Sequence, residues 1–474
     1  MKQSIYITIL SLGTLMLGSC SKFLEEQSQS EVIPTTAADF RELLLGSGYL
    51  VKEEPFAFTF LMDDDVEFRY DDQGNTNPGS STAIQHFPNF TWQPNFMDVN
   101  GLGQLVSENP GTTAYAISYK YIMGCNAVLD NIDEAIGTQT EKDRVRGEAL
   151  AMRAWHYFRL VNVFGEPYNY NKDALGVPLK LTSELTDQLS ARATVGQVYE
   201  VIVRDLQEAA RLLDPLSITR RDYRINQPAI HILLSRVYLY MENWQGAVTE
   251  VNKAFEQGAQ LVDLKTLYTS ISYAYLRYAN PEVEWVFGDD AELVQNPYPP
   301  NRDFIASFDA KDVRFRFGFS FSSGYYLISK VQASDATELR QSIRTPEAVL
   351  NRAEANAFLD NLSDALQDLN NLRRSRIADY QDVSITDKQE LIQAIRNERR
   401  KELCFENHRW FDLRRYGMPA IEHRYMANPG EALQTFTLEE KDPMYTVPFP
   451  SSVITRNPGL QQNPGFSMPT RQGH

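Results

Sequence analysis

Two residues in an irregular, aromatic-rich stretch have the chemistry to bind an uncharged sugar. Trp92 and Asn95 lie in the segment Asn89-Phe-Thr-Trp-Gln-Pro-Asn-Phe96. An exposed indole stacks on the C–H face of a sugar ring, and a nearby amide donates hydrogen bonds to hydroxyl groups and accepts them. We therefore predict that this pair is exposed and forms a carbohydrate-binding surface. The alternative, a tryptophan buried beneath its own loop, stays open at this point.

Three consecutive acidic residues, Asp63, Asp64 and Asp65, offer the oxygen ligands that calcium takes in proteins. The triplet lacks the alternating spacing and the glycine of an EF-hand loop. We therefore expect a solvated loop here, and we predict neither a metal nor a cofactor for the protein.

The densest charged segment runs from Glu398 to Gly417 and alternates arginine and glutamate beside Trp410 and Phe411. Such a segment resembles a catalytic site. We interpret it as structural, with guanidinium groups pairing with carboxylates and the aromatic rings closing the last part of a helical scaffold.

The sequence carries no established catalytic signature. It lacks His-Glu-x-x-His, Cys-x-x-Cys, Gly-x-Ser-x-Gly and a glycine-rich phosphate loop, and its six histidines are scattered. We predict that the protein is not an enzyme. A glycoside hydrolase needs two carboxylates at a defined separation, and 62 acidic residues leave that alternative open.

The N-terminus predicts export. Residues 1–19 combine a charged start with the apolar run Ile5–Leu17, which is well below the roughly 20 residues of a spanning helix. The following Cys20 stands where a bacterial lipoprotein signal places the lipidated residue, so the pattern resembles a lipobox. Residues 20–36 then form a polar tether, whose acidic pair Glu25-Glu26 resembles an outer-surface export tag. An ordinary secretory signal is the alternative.

Composition narrows the classes of partner. The chain of 474 residues is 43% hydrophobic and carries a net charge of −16. It can bury a large core, and its acidic surface disfavours nucleic acid and anionic lipid as partners. Besides Cys20 there are only Cys125 and Cys404, and we expect both to be buried thiols, although one disulfide between them stays possible.

Helical periodicity predicts the scaffold that positions these residues. Apolar residues recur at three- and four-residue steps on one face of the segment 148–164. The segment 229–255 resembles 349–372 at an offset of 118 residues, with Ala247 matching Ala365 after a tight turn. A small residue at that place lets two antiparallel helices approach closely, as in tetratricopeptide repeats.

Two irregular insertions interrupt this scaffold. Helical repeats are predicted mainly over 115–260 and 346–416, within one domain covering 37–474. The first insertion, about 56–110, and the second insertion, about 268–330, are rich in aromatic residues and lack a helical period. Long loops of this kind are uncommon unless they bind something, so we expect the ligand site there.

Together these features resemble the SusD/RagB family of outer-membrane nutrient-binding lipoproteins, over essentially the whole mature chain. The resemblance is carried by the lipobox, the helix 151–164 ending at Gly165, the repeat pair, the run 397–417 and the tail Val447-Pro-Phe-Pro-Ser-Ser-Val-Ile-Thr-Arg-Asn-Pro-Gly-Leu-Gln-Gln-Asn-Pro-Gly465. It implies a mainly α fold of about four tetratricopeptide-like helix pairs, with loop insertions that carry the ligand site.

The resemblance also implies a partner and a location. The expected partner is a SusC-type TonB-dependent transporter in the outer membrane, over which the lipid-anchored protein would sit as a hinged lid at the cell surface. The expected ligand is an oligosaccharide or polysaccharide. A peptide-binding lid of the RagB type and a purely architectural repeat protein remain alternatives.

Site residues follow from the same resemblance. Trp92 and Asn95 occupy the loop that carries a stacking tryptophan and a polar contact in starch-binding members. The other expected ligand-binding residues are Tyr70, Asp71 and Asp72 in the same loop, and Tyr273, Tyr298 and Tyr325 on a second wall.

Overall fold

A computed structural model describes most of the chain after its N-terminal segment. The described residues are 33–51, 55–69, 80–106, 113–186, 190–267, 275–288, 298–322, 324–330, 339, 341–428 and 430–474. The predicted signal peptide and Cys20 lie outside them, as does most of the tether. The described elements belong to one compact unit, Thr36–His474.

Helices account for most of the described elements, so the mainly α fold is confirmed. In chain order the helices are α1 (Ala37–Ser47), α2 (Ser81–Phe90), α3 (Ala114–Asn131), α4 (Gln139–Phe164), α5 (Tyr168–Asn171), α6 (Val195–Leu213), α7 (Gln227–Tyr240), α8 (Trp244–Glu256), α9 (Leu264–Leu267), α10 (Arg302–Ala306), α11 (Val313–Gly318), α12 (Thr345–Phe358), α13 (Leu362–Arg374), α14 (Lys388–Leu403), α15 (Arg409–Arg415) and α16 (Ser451–Arg456). Short 3₁₀ helices cover Ala57–Met62, Ile132–Glu134, Pro443–Tyr445 and Pro464–Ser467.

Strands form three small antiparallel pairs in the described part of the chain. They are β1 (Val283–Phe287), β2 (Phe319–Ser322), β3 (Tyr325–Ile328), β4 (Gln341–Arg344), β5 (Ile421–Tyr425) and β6 (Gln434–Leu438). β1 pairs with β4, β2 with β3, and β5 with β6. No strand pair is large enough to form a layer, so the helices provide the scaffold.

The repeat predicted at an offset of 118 residues is present helix by helix. The pair α7 and α8 recurs as α12 and α13 at that offset, with identical lengths. Each turn holds a residue in the left-handed region, Glu242 at φ 58° and Asp360 at φ 63°. Ala247 and Ala365 are both fully buried, as close helix approach requires. Tetratricopeptide-like pairing is therefore confirmed.

Helix α4 is the central helix of the fold and is longer than its apolar periodicity predicts. It begins at a capping box in which Thr138 and Glu141 satisfy each other's backbone N–H groups. It ends at Gly165, where a Cβ atom would lie 2.8 Å from the Val161 carbonyl oxygen. From Gly147 onward nearly every residue is buried, because α3 and α6 pack against it from different sides. The sequence predicted one apolar face for this segment, whereas residues on all sides of this part of α4 are buried.

The charged segment Glu398–Gly417 is structural, as predicted. Glu402 accepts hydrogen bonds at 2.9–3.0 Å from Arg314, Arg344 and Arg376, and all four side chains are buried. Burial raises the pKa of Glu402, but the charges of Arg376 and Arg344 outweigh it and hold that pKa well below its usual range. The Glu402 carboxylate is therefore fully engaged with guanidinium groups inside the protein.

A second buried cluster fixes α15 against α12 and α14. Asp412 accepts hydrogen bonds from Arg399 and Arg415, both at 2.8 Å. Arg415 also donates to Glu354 at 2.7 and 2.9 Å. Pairing of this quality offsets the desolvation of buried charge, which is otherwise expensive.

Both described cysteines are buried free thiols, which confirms that expectation. Burial raises the pKa of Cys125 and of Cys404 to about 12. Neither thiol is therefore a reactive thiolate at neutral pH.

Candidate functional site

Trp92 is a core residue, and the prediction that it forms an exposed stacking surface is wrong. Its side chain is 0% exposed, and its indole N–H donates a hydrogen bond to the Met62 carbonyl oxygen at 2.9 Å. The ring stacks on His423 with centroids 4.3 Å apart. Trp92 itself adopts a left-handed backbone conformation with φ 51°. The residue lies two positions beyond the end of α2 at Phe90, in a turn from which the indole enters the core.

Asn95 is exposed, as predicted, but it has no stacking partner in Trp92. Its backbone oxygen accepts hydrogen bonds from Asp98 and Val99, which closes a turn. The pair therefore does not form the composite sugar contact that the sequence predicts.

The histidine beneath Trp92 belongs to the same core. His423 approaches the Phe90 carbonyl oxygen at 2.7 Å and the Asp63 carbonyl oxygen at 2.9 Å. Burial lowers the pKa of His423 to about 4, although both carbonyl contacts favour the charged form. The imidazole is thus neutral at pH 7, so one ring nitrogen donates a hydrogen bond to a carbonyl oxygen, and the other, unprotonated nitrogen forms none with the second carbonyl oxygen.

The acidic triplet is not a solvated loop, contrary to expectation. Asp63 and Asp65 are buried, and Asp64 accepts a two-pronged hydrogen bond from Arg409 at 2.6 and 2.8 Å. Arg400 donates to Asp65 at 2.6 Å. Burial, together with the charges of the two neighbouring aspartates, raises the pKa of Asp63 well above its usual range.

The triplet therefore joins the first insertion to the helical scaffold. Its carboxylate oxygens lie within 4.8 Å of one another, a spacing that a cation also requires. Two guanidinium groups already supply that positive charge, from α14 and from α15. The donor set fits arginine pairing better than a bound ion.

Tyr298 is also a core residue, so its prediction as a ligand contact is wrong. It is 1% exposed and donates a hydrogen bond to the Ala83 carbonyl oxygen at 2.9 Å. Its ring packs on Phe90 with centroids 4.7 Å apart. It joins the second insertion to α2.

Tyr325 is buried as well, and its ring is occupied by other side chains. The Arg69 guanidinium lies 4.3 Å from the ring centroid, and the Arg302 guanidinium lies 5.7 Å from it. A sugar cannot stack there without displacing Arg69. The remaining predicted contacts, Tyr70, Asp71, Asp72 and Tyr273, lie outside the described residues.

The strand pair β2–β3 presents aromatic rings that the sequence predictions did not single out as site residues. Phe319 pairs with Ile328 near the body of the protein, and both are buried. Two residues closer to the tip, on the same face, Phe321 pairs with Tyr326. Phe321 is 65% exposed. The apolar face of the hairpin therefore begins in the core and continues into solvent.

We call the four partly exposed rings at this place the hairpin ridge. Phe321 and Tyr326 meet edge to face with centroids 5.1 Å apart, and Tyr326 meets Phe315 at 5.2 Å. Phe315 in turn contacts Phe308 at 6.0 Å. The hairpin ridge lies in the second insertion, where the ligand site is predicted. Phe319 and Phe321 alternate along β2, which is the sequence signal of this strand, whereas Phe317 before them lies in α11.

A second feature is a polar groove between the two helical repeats. It is an open groove of about 380 Å³, lined by α8, α12, α13 and the turn before α13. Six of its side chains are carboxamides: Gln245, Asn252, Asn356, Asn361, Gln367 and Asn371. We call this feature the amide groove.

Among the described helices, none combines the length and the apolar composition that a transmembrane segment requires.

Two family models match different parts of the chain. Residues 301–466 match the SusD family, and residues 22–239 match a family described as starch-binding and associating with the outer membrane. SusD-like protein P38 of Formosa agariphila is 24% identical over 373 residues, covering 62% of this chain and 70% of its own length. SusD-like protein P25 of the same organism is 24% identical over 308 residues, covering 63% of this chain and 50% of its own length.

Solved structures share the fold. A SusD superfamily protein from Bacteroides thetaiotaomicron superposes with a TM-score of 0.73 at 24% identity, covering 91% of this chain and 100% of its own. A putative sugar binding protein from Bacteroides vulgatus gives a TM-score of 0.71 at 25% identity, covering 92% and 100%. A SusD-like carbohydrate binding protein from Bacteroides vulgatus gives 0.68 at 20% identity, covering 90% and 97%.

Proposed function

Because this chain belongs to the SusD-like family, we propose that it captures an oligosaccharide or polysaccharide at the cell surface and delivers it to a SusC-like TonB-dependent transporter. In this proposal the protein is anchored to the outer membrane through a lipid on Cys20. The description of the family that residues 22–239 match, starch-binding and associating with the outer membrane, supports both the ligand class and the location.

The observation that carries the proposal is the exposed Phe321 at the tip of the hairpin ridge. A phenyl ring that is 65% exposed leaves apolar area in water, and covering that area on binding is favourable by about 25 cal/mol per Å². The rings behind it anchor the hairpin in the core, so the binding surface is held in place before the ligand arrives. Such preorganisation lowers the entropy lost on binding.

A neutral sugar fits this surface. The C–H face of a pyranose ring is apolar and stacks on an aromatic ring, in the way that aromatic pairs stack, with about 1 kcal/mol for each ring. Two or three rings then contribute about 2–3 kcal/mol, which alone corresponds to a dissociation constant on the order of 10 mM. Weak capture suits delivery, because a ligand held too tightly is not passed on.

The proposal assigns no catalysis to the protein. Its densest set of acidic and basic groups is the buried network around Glu402, in which the carboxylate is held by Arg314, Arg344 and Arg376. These groups are inaccessible to a polysaccharide, and the carboxylate's depressed pKa prevents it from donating a proton at neutral pH. A binding role is consistent with this arrangement.

Affinity electrophoresis on gels containing starch and other neutral polysaccharides tests the proposal. We expect wild-type protein to be retarded by at least one polysaccharide and Phe321→Ala to lose most of that retardation. Tyr170→Ala is the matched control, because Tyr170 is 55% exposed but lies on α5. The control should be retarded like the wild type.

Two results would contradict the proposal. Equal retardation of Phe321→Ala and wild type would remove the hairpin ridge from the binding surface. Calorimetric binding of oligopeptides, without retardation by any polysaccharide, would favour the peptide-binding alternative.

A further inference from the structure

We propose that the amide groove is a second binding site for neutral saccharide, formed by the helical scaffold rather than by the insertions. The inference rests on the proposed function for its ligand class, but on different residues. The groove is lined by the two helical repeats and by no residue of the hairpin ridge.

The polar lining defines the ligand chemistry. Carboxamides donate and accept hydrogen bonds at any pH, which matches the hydroxyl groups of a sugar. Val248 is the one aliphatic residue in the lining, so the groove does not suit an apolar ligand. Its volume of about 380 Å³ lies at the lower end of the roughly 300–1,000 Å³ of small-molecule sites, which fits one or two sugar rings.

The charges in the lining exclude an anion. Arg352 donates to both carboxylate oxygens of Asp368 at 2.8 Å and to the Asn252 side-chain oxygen at 2.8 Å. Its guanidinium is therefore already engaged. Asp364 adds an exposed negative charge to the rim. A phosphate or a peptide carboxylate would meet net negative charge, whereas a neutral sugar can donate hydroxyl hydrogens to Asp364.

Asn356 on α12 supplies a further amide to the lining of the groove. Asn356 is 5% exposed, and its side-chain oxygen accepts a hydrogen bond from the Asn361 side-chain amide at 3.3 Å. Its amide nitrogen has no hydrogen-bond acceptor among the described residues. The nitrogen is reached by solvent within the groove, so it can donate a hydrogen bond to water or to a hydroxyl group of a ligand.

The rim offers further free donors and acceptors. The side chains of Gln245 and Gln367 are exposed, and neither forms a side-chain hydrogen bond with any residue that the structure describes. They stand on α8 and α13, on opposite walls. A sugar between them would gain hydrogen bonds on both sides without breaking any contact within the protein.

Titration with maltose and cellobiose, followed through the side-chain amide signals of full-length protein by NMR, tests this inference. We expect the signals of Gln245, Gln367 and Asn356 to shift at millimolar sugar in the wild type. The double variant Gln245→Ala/Gln367→Ala should bind about tenfold more weakly, because each amide hydrogen bond contributes about 0.5–1.5 kcal/mol.

Two controls separate this inference from the proposed function. Gln393→Ala removes an exposed amide from α14, outside the groove, and should bind like the wild type. Phe321→Ala should lose most of the polysaccharide retardation but keep the shifts of the groove amides. Unchanged groove signals, or equal shifts with a neutral tetraglycine peptide, would overturn the inference while leaving the hairpin ridge intact. If wild-type protein showed neither retardation by a polysaccharide nor shifted groove signals, the proposed function would be overturned as well.

Discussion

The two insertions have similar compositions but place their aromatic rings in different environments. In the first insertion, Trp92 and Phe90 are 0% exposed and pack on His423 of β5. In the second insertion, Phe321 extends from a two-stranded hairpin and is 65% exposed. An aromatic-rich loop is therefore not in itself a binding surface. Whether an aromatic ring in such a loop can bind a ligand depends on whether another part of the chain covers it.

Hydrogen bonding reinforces the difference. The Trp92 indole has an internal acceptor in the Met62 carbonyl oxygen, and the Tyr298 hydroxyl has one in the Ala83 carbonyl oxygen. A polar group that has found a buried partner stabilises the ring in the core. Phe321 has no polar group, and its hairpin carries the ring beyond the protein surface. The comparison predicts opposite responses to truncation in the two insertions.

The largest expected effect is on stability, from Trp92→Ala. Removing a fully buried indole leaves a cavity and an unpaired Met62 carbonyl oxygen, so the free energy of unfolding should fall by about 3–5 kcal/mol. Urea unfolding followed by circular dichroism measures the change. A change within about 0.5 kcal/mol would show that Trp92 is not a core residue.

The next effect is a pH dependence centred on His423. Its folded-state pKa of about 4 lies below the unfolded value near 6.5, so the unfolded state binds the proton first on acidification. The stability that the neutral His423 contributes is fully present above the unfolded-state pKa. It is lost as the pH falls, and the free energy of unfolding drops by about 2 kcal/mol between pH 7 and pH 5.

Comparing wild type with His423→Gln isolates that contribution, because other buried groups titrate in both proteins. Unfolding free energies at several pH values should give a shallower acid dependence for the variant. Parallel pH profiles for the two proteins would contradict the assignment.

A smaller effect is expected from Tyr298→Phe. The substitution removes one buried hydrogen bond, so stability should fall by about 1 kcal/mol. Tyr326→Phe is the matched change on the hairpin ridge, where the ring is partly exposed, and should leave stability nearly unchanged. Equal losses in the thermal unfolding of both variants would remove the distinction between the insertions.

The smallest expected effect on stability is that of Phe321→Ala. Truncating a ring that is mostly in water should change the free energy of unfolding by less than about 0.5 kcal/mol. Chemical unfolding of this variant therefore checks that any lost polysaccharide binding reflects a lost contact. A loss above 2 kcal/mol would place Phe321 in the core with Trp92.

The scaffold was predictable because its signals are local. The offset of 118 residues, the small residues Ala247 and Ala365, and the turn before each second helix all lie within one helical hairpin. Arginine–glutamate alternation in Glu398–Gly417 likewise predicted a structural charge network, although partners such as Arg314, Arg344 and Arg376 lie outside the segment.

The site was less predictable because its determinants are distant in sequence. Trp92 is covered by His423, and Asp64 is paired with Arg409, and in each case the partner lies more than 300 residues away along the chain. No local pattern reveals such partners. For Phe321, the alternating aromatic residues indicate a strand, but only the hairpin's position relative to the body shows which ring is exposed.

A structure of the protein with a bound neutral oligosaccharide tests the central claim most directly. The account predicts a sugar ring against Phe321 and Tyr326, with Trp92 still enclosed between Met62 and His423. An oligosaccharide bound elsewhere in the insertions with no contact to Phe321, or one stacked on a Trp92 that has turned outward, would contradict it.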